Sequence, residues 1–309
     1  MLSRRNIRVK VMQTLYLESV KGESKPMEAQ AVLTKKIDQS RNLFTYLIYF
    51  ITEVARYAEK DALQRASKHL PTAADLAVNT KIAGNNLLWK IVEDASFKAT
   101  VAEAKMAHLM DADLLKKIYQ QLVLTEEYKE YIEEESRLKK GEKKILEFIF
   151  NTLLLPNEDF TNHVEEKFIN WDDDAEMMQT LVQNYLNKPT ELVFHDILSK
   201  EKWFFAKNLL ETVQSKHSHT LEIIKPKLKN WDAERVAALD MILLEMGVCE
   251  FLYFETIPTK VTINEYIDLA KDYSTAQSGQ FINGILDNIQ KELSAANKIE
   301  KRSFRNSTL

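Results

Sequence analysis

The feature that most constrains this chain is how little turn chemistry it carries. Six glycines and six prolines in 309 residues leave few positions for hairpin turns. Apolar residues meanwhile recur at three- and four-residue spacing almost throughout. Val11 and Leu15, with Met12 and Tyr16, mark a first helix, and Leu43, Leu47, Ile51 and Val54 a second. Leu87, Leu88 and Ile91 mark a later one, followed by Met106, Leu109, Met110, Leu114 and Ile118 and then by Ile145, Phe148, Ile149 and Leu153. Leu181, Tyr185, Phe194, Ile197, Phe205, Leu209 and Val213 continue the pattern. Pro71, Gly141, Pro156, Pro189, Pro226 and Pro258 fall between these runs as breakers. The expected fold class is all-α.

Charge narrows what such a chain does. Its 42 basic and 46 acidic residues give a net charge of −4, so no basic field covers the whole protein. A nucleic-acid site would have to be a local patch. Cys249 is the single cysteine, which excludes an internal disulfide or a zinc knuckle and fits a reducing cytosol. Met1 to Arg5 leads into an amphipathic helix rather than a signal peptide. The most apolar segment, Leu43 to Ile51, is far short of the about 20 residues that span a bilayer. A cytoplasmic protein without membrane contact is expected.

Enzyme signatures are missing: no G-x-x-x-x-G-K-[ST], no G-x-G-x-x-G and no H-E-x-x-H. His69, His108, His163, His195, His217 and His219 are scattered, and His217-Ser218-His219 reads as an exposed pair. Asp172, Asp173 and Asp174 with Glu176 read as the acid-rich start of a helix more economically than as a cation site. No catalytic residue, metal or cofactor is expected.

Several helix starts are legible. Asp232 reads as an N-cap with Trp231 stapled on Val236, Thr262-Ile263-Asn264-Glu265 as a capping box, and Ser274 to Gln277 as another. Glu133 to Lys140 reads as a solvated helix face with Glu135 and Lys139 paired at i,i+4. Asn283-Gly284 reads as a close helix approach.

The first ten residues hold the one concentrated basic patch, Arg4, Arg5, Arg8 and Lys10, with no acid among them. At about 100° per residue, a helix starting near Ser3 places Arg4, Arg5 and Arg8 on the side of Val11, Met12, Leu15 and Tyr16. Its first two turns should therefore overhang or fray instead of packing on a core. Cations there also oppose the helix dipole, and a bound phosphate would relieve both conflicts.

Two further stretches complete a pattern. Near the C-terminus stand Ile257-Pro258-Thr259-Lys260-Val261-Thr262-Ile263-Asn264-Glu265, Leu269-Ala270-Lys271 and Phe281-Ile282-Asn283-Gly284-Ile285-Leu286-Asp287; upstream is Phe205-Ala206-Lys207-Asn208-Leu209-Leu210-Glu211-Thr212-Val213. With the arginine-rich start they resemble the NusB family of bacterial transcription antitermination factors, over about residues 1–20 and 200–293. The resemblance implies a NusB-like domain from 1–60 and 196–309, with a three-helix part at about 228–293, interrupted by a helical insertion at 61–195. It implies binding to boxA-type single-stranded RNA through Arg4, Arg5, Arg8 and Lys10, joined by Gln277, Ser278, Gln280 and Phe281. It also implies pairing with the ribosomal protein NusE through the helix bearing Glu234, Arg235 and Asp240, in a complex with RNA polymerase. Asn6 stands where the family often has a further arginine, and Gln277 where it often has an acid. Two other readings stay open: a helical protein–protein adaptor without RNA affinity, and a metal-dependent hydrolase built on Asp172 to Asp174.

Overall fold

The computed structural model describes residues 2–21, 26–189, 193–228 and 236–302. Every regular element among them is helical: α1 Arg4–Lys21, α2 Pro26–Ala66, α3 Ala73–Leu76, α4 Asn86–Glu93, α5 Ala95–Glu103, α6 Met106–Leu109, α7 Ala112–Leu122, α8 Glu126–Glu133, α9 Lys139–Phe148, α10 Glu158–Lys167, α11 Trp171–Asn187, α12 Lys200–Ile224, α13 Ala238–Tyr253, α14 Thr259–Tyr273 and α15 Ser278–Ala295. Single 3-10 turns lie at Lys81–Gly84 and Lys225–Lys227, and a π-helical stretch at Ile149–Leu154 extends α9. The all-α class is what the structure shows. No helix among the described residues is long and apolar enough to cross a membrane.

The chain divides into two compact units, Met1–Leu2 with Asp38–Ile197, and Ser3–Ile37 with Leu198–Leu309. We call them the middle unit and the terminal unit. The division falls inside α2, so the sequence boundary at 60/61 lies within the middle unit. The reason is packing. Phe44 stacks on Phe194 with centroids 5.6 Å apart and meets Tyr185 edge-on at 5.8 Å, while Phe50 meets Phe160 at 4.9 Å. This part of α2 therefore forms the core of the middle unit. The units also differ in charge: the terminal unit holds 23 of the 42 basic residues and 18 of the 46 acidic ones, the middle unit 19 and 28.

In the middle unit, short helices are closed by side-chain caps at Thr72, Asn85, Asp94, Asp111, Thr125 and Asn157. The Glu133 to Lys140 run is not one helix face. α8 ends at Glu133, the chain is extended through Leu138, and α9 begins at Lys139. Lys81 donates to the carbonyls of Tyr131 and Glu134, and Arg137 to that of Gly84. These bonds anchor the break on the neighbouring 3-10 turn. Asp172 to Asp174 do lie in the first turn of α11, where Asp174 is buried and accepts from Ser40 (2.6 Å) and Asn170 (2.6 Å).

In the terminal unit the centre is α13. Apart from Asp240, Glu245 and Glu250 its sequence is apolar around the helix, which fits a helix surrounded by others, and α1, α12, α14 and α15 all pack against it. Gly247 permits the closest approach: a Cβ there would stand 2.9 Å from Cδ2 of Leu286 on α15. Gly284, expected to serve such a contact, faces open space. Two expected caps differ as well. α14 starts three residues before Thr262, after Pro258, because the Thr262 hydroxyl is directed at Glu250 (3.0 Å). α15 starts at Ser278 after Gln277, with no side-chain cap. Asp232 and Trp231 lie outside the described residues.

Candidate nucleic-acid interface

The basic helix start is ordered by local chemistry. The Ser3 Oγ accepts from the Asn6 backbone N–H (3.2 Å), and the Asn6 Oδ1 accepts from the Ser3 N–H (3.0 Å). This reciprocal cap fixes the first turn of α1. The expected overhang is absent, and Asn6 has a structural task at the position where an arginine was the alternative.

From that start the four cations separate. Arg8 is only 2 % exposed. Its Nε donates to Glu250 Oε1 (2.7 Å), its Nη2 to Oε2 (3.1 Å), and its Nη1 to Glu265 Oε2 (3.2 Å). Glu250 accepts in addition from Tyr266 Oη (2.8 Å) and Thr262 Oγ1 (3.0 Å). The guanidinium also lies 5.6 Å from the ring centroid of Phe205 and 5.9 Å from that of Tyr266. Burial alone would lower the Arg8 pKa. Glu250 more than offsets this, aided by Tyr266 and Glu265, and holds it above the ordinary value. Burial, then Glu250, raises the Tyr266 hydroxyl well above its usual range. Lys10 is likewise buried. The expectation that Arg8 and Lys10 meet RNA is corrected: α1 is long enough to carry both beneath the surface, and a carboxylate on α13 neutralises Arg8 there.

Arg4 and Arg5 remain at the surface. Arg4 reaches Glu201 at 2.8 Å, and Arg5 reaches Asp272 at 2.7 Å and Asp268 at 3.9 Å. These acids are at least half exposed, so the pairs contribute about 0–1 kcal/mol and a phosphate can exchange for the carboxylate. Asp268 also meets Lys271 Nζ at 3.4 Å. The stem of Lys271 lies against Gly279, where an added Cβ would be 3.0 Å from its Cγ. Arg5, Asp268, Lys271 and the first turn of α15 thus form one continuous surface.

On that surface Gln277 and Gln280 are exposed and Phe281 is half-buried. Ser278 is not available: it is buried, and its Oγ donates to Asp240 Oδ2 (2.8 Å). The same bond corrects the expectation for Asp240, which is buried in the first turn of α13 and offers no docking surface. Glu234 and Arg235 lie outside the described residues. Sequence reasoning missed Phe204, an exposed aromatic near the start of α12 between Glu201, which pairs Arg4, and Phe205, over whose ring Arg4 lies at 5.6 Å. It also missed Glu250, although an acid inside so apolar a helix signals a buried cation partner.

The rest of the terminal unit has little reactive chemistry. Burial, then Glu245 and Glu250, pushes the Cys249 thiol up to about 12, which leaves it protonated and inert. His217 is hydrogen-bonded through Nδ1 to the buried Glu245 (2.7 Å) instead of pairing with His219. No group of three or more metal-ligating side chains occurs among the described residues.

A sequence model described as the NusB family matches residues 164–291, which runs from the end of α10 through α11, α12, α13 and α14 to most of α15 and leaves α1 outside. The transcription antitermination protein NusB of Listeria monocytogenes serotype 4a (strain HCC23) is 35% identical over 116 residues, covering 37% of this chain and 91% of that protein. NusB of Salinibacter ruber is 39% identical over 97 residues, 31% of this chain and 61% of the relative. NusB of Finegoldia magna is 48% identical over 71 residues, 23% and 52% of the two chains. Among solved structures, T. maritima NusB aligns with 34% identity over 32% of this chain and 73% of its own, at a TM-score of 0.30.

Proposed function

Since the chain belongs to the NusB family, we propose that it acts in transcription antitermination by binding boxA-type single-stranded RNA together with NusE, within a complex on RNA polymerase. The work is binding, not catalysis. Each partner stabilises the surface the other uses, so the two affinities are coupled and the coupling is reciprocal. The observation that carries the reading is the division of the basic start into a buried anchor, Arg8, and two exposed guanidinium groups, Arg4 and Arg5, joined through Asp268 and Lys271 to the start of α15.

On this reading Arg4, Arg5 and Lys271 meet phosphates, Gln277 and Gln280 read base edges, and Phe204 gives a base a flat group to stack on. The middle unit carries the acid excess, 28 acidic against 19 basic residues, which repels an RNA backbone. The NusE surface falls on the segment of sequence bearing Glu234 and Arg235. The adaptor reading without RNA affinity lacks a comparable observation.

The test is RNA binding measured across a salt titration, with and without NusE. Removing two phosphate contacts in Arg4→Ala/Arg5→Ala should flatten the slope of log K against log salt by about 1.4. An unchanged slope and affinity would remove this surface from consideration.

A further inference from the structure

We propose that the middle unit carries a separate binding site for a small phosphorylated ligand, in a cavity between the start of α4, the start of α9 and the end of α11. The cavity has a volume of ≈ 440 Å³, within the range of small-molecule sites. Lys90, Arg137, Lys139 and Lys188 stand around it, with Glu142 as the one acid of its lining. Four cations about one opening are out of keeping with a unit that holds 28 acidic and 19 basic residues.

The lining is built rather than incidental. Glu142 is 2 % exposed; its carboxylate accepts from the Tyr131 hydroxyl (2.9 Å) and from the Asn86 N–H, and its backbone carbonyl accepts from Asn85 Nδ2 (2.8 Å). Arg137 stands 3.8 Å from this carboxylate and donates to the Gly84 carbonyl. The acid is thus occupied within the wall, and the positive charge of Lys90 and Lys139 is left facing the space. Lys90 and Lys139 are exposed and have no acidic partner among the described residues. α9 opens at Lys139, behind Leu138, whose side chain supplies no acceptor to the first-turn N–H groups. Rotatable ammonium groups around a recess suit the several oxygens of a phosphate ester or diphosphate.

Inorganic pyrophosphate titrated into the full chain by calorimetry is the test. Saturable binding is expected, about tenfold or more weaker in Lys90→Ala/Lys139→Ala, and unchanged in Arg4→Ala/Arg5→Ala. Absence of saturable binding, equal binding by the lysine variant, or loss of binding in the arginine variant would each overturn the site. Displacement of pyrophosphate by an RNA oligonucleotide that then crosslinks to Lys90 or Lys139 would overturn the ligand class. Should the lysine variant be unstable, protection of Lys90 and Lys139 from acetylation by pyrophosphate decides the matter in the unaltered protein, and lack of protection rejects the proposal.

Discussion

Breaking the Arg8–Glu250 pair should unfold this protein long before it changes RNA recognition. Glu250→Gln leaves a guanidinium buried beside a neutral amide, and Arg8→Ala leaves a carboxylate buried with the hydroxyl donors Thr262 and Tyr266 among the described residues. Removing one partner of a buried pair costs about 3–5 kcal/mol. For a unit of this size that corresponds to a fall in melting temperature of about 6–20 °C. The double variant Arg8→Met/Glu250→Gln removes both charges and keeps an amide oxygen for the Tyr266 and Thr262 hydroxyls. It should therefore be more stable than either single variant, a coupling expected of residues in one network. Thermal unfolding followed by circular dichroism measures all four proteins. RNA affinity of the folded Arg8→Met/Glu250→Gln protein should stay within about threefold of the starting protein, less than the effect of one lost charge-assisted bond. An Arg8→Ala variant that melts normally but no longer binds RNA would refute the reasoning, because it would place the guanidinium outside the core.

Other outcomes follow from the same packing. Gly247→Ala should destabilise by about 1–3 kcal/mol, since its Cβ would stand 2.9 Å from Leu286 Cδ2, whereas Gly284→Ala faces open space and should stabilise by about 0.5–1 kcal/mol; urea midpoints distinguish them. Burial raises the Glu245 carboxyl above its ordinary value despite the His217 hydrogen bond. Between the unfolded and folded pKa values the native state then binds more protons, so stability falls as pH rises through that window. Glu245→Gln should flatten this slope in unfolding measured as a function of pH. Phe204→Ala should weaken boxA RNA binding by about 1–3 kcal/mol if a base stacks there, with no change in melting temperature, as read by fluorescence anisotropy and calorimetry.

Helicity was legible because it rests on local spacing and on the shortage of glycine and proline. The burial of Arg8 was not. A helical wheel places Arg8 on the same stripe as Val11 and Leu15, but whether that stripe overhangs or docks depends on a carboxylate 242 residues away in sequence. The clue lay in α13, where Glu245 and Glu250 interrupt the apolar run that follows Asp240 and each needs a donor. The break between α8 and α9 was hidden for a similar reason: Glu135 and Lys139 have ideal helical spacing, yet Lys81 and Arg137 bind backbone carbonyls across the break and hold it open. Ser278 was legible as a helix-start residue but not as the donor to Asp240, because that bond joins two helices.

The account turns on which part of the chain touches RNA, and a photo-crosslinking map of 4-thiouridine-substituted boxA RNA on the full chain reads this most directly. Crosslinked peptides should come from the first five residues, the start of α12 around Phe204 and the 271–281 turn, and they should be lost in Arg4→Ala/Arg5→Ala. Crosslinks confined to residues 38–197, or persisting undiminished in that variant, would contradict it.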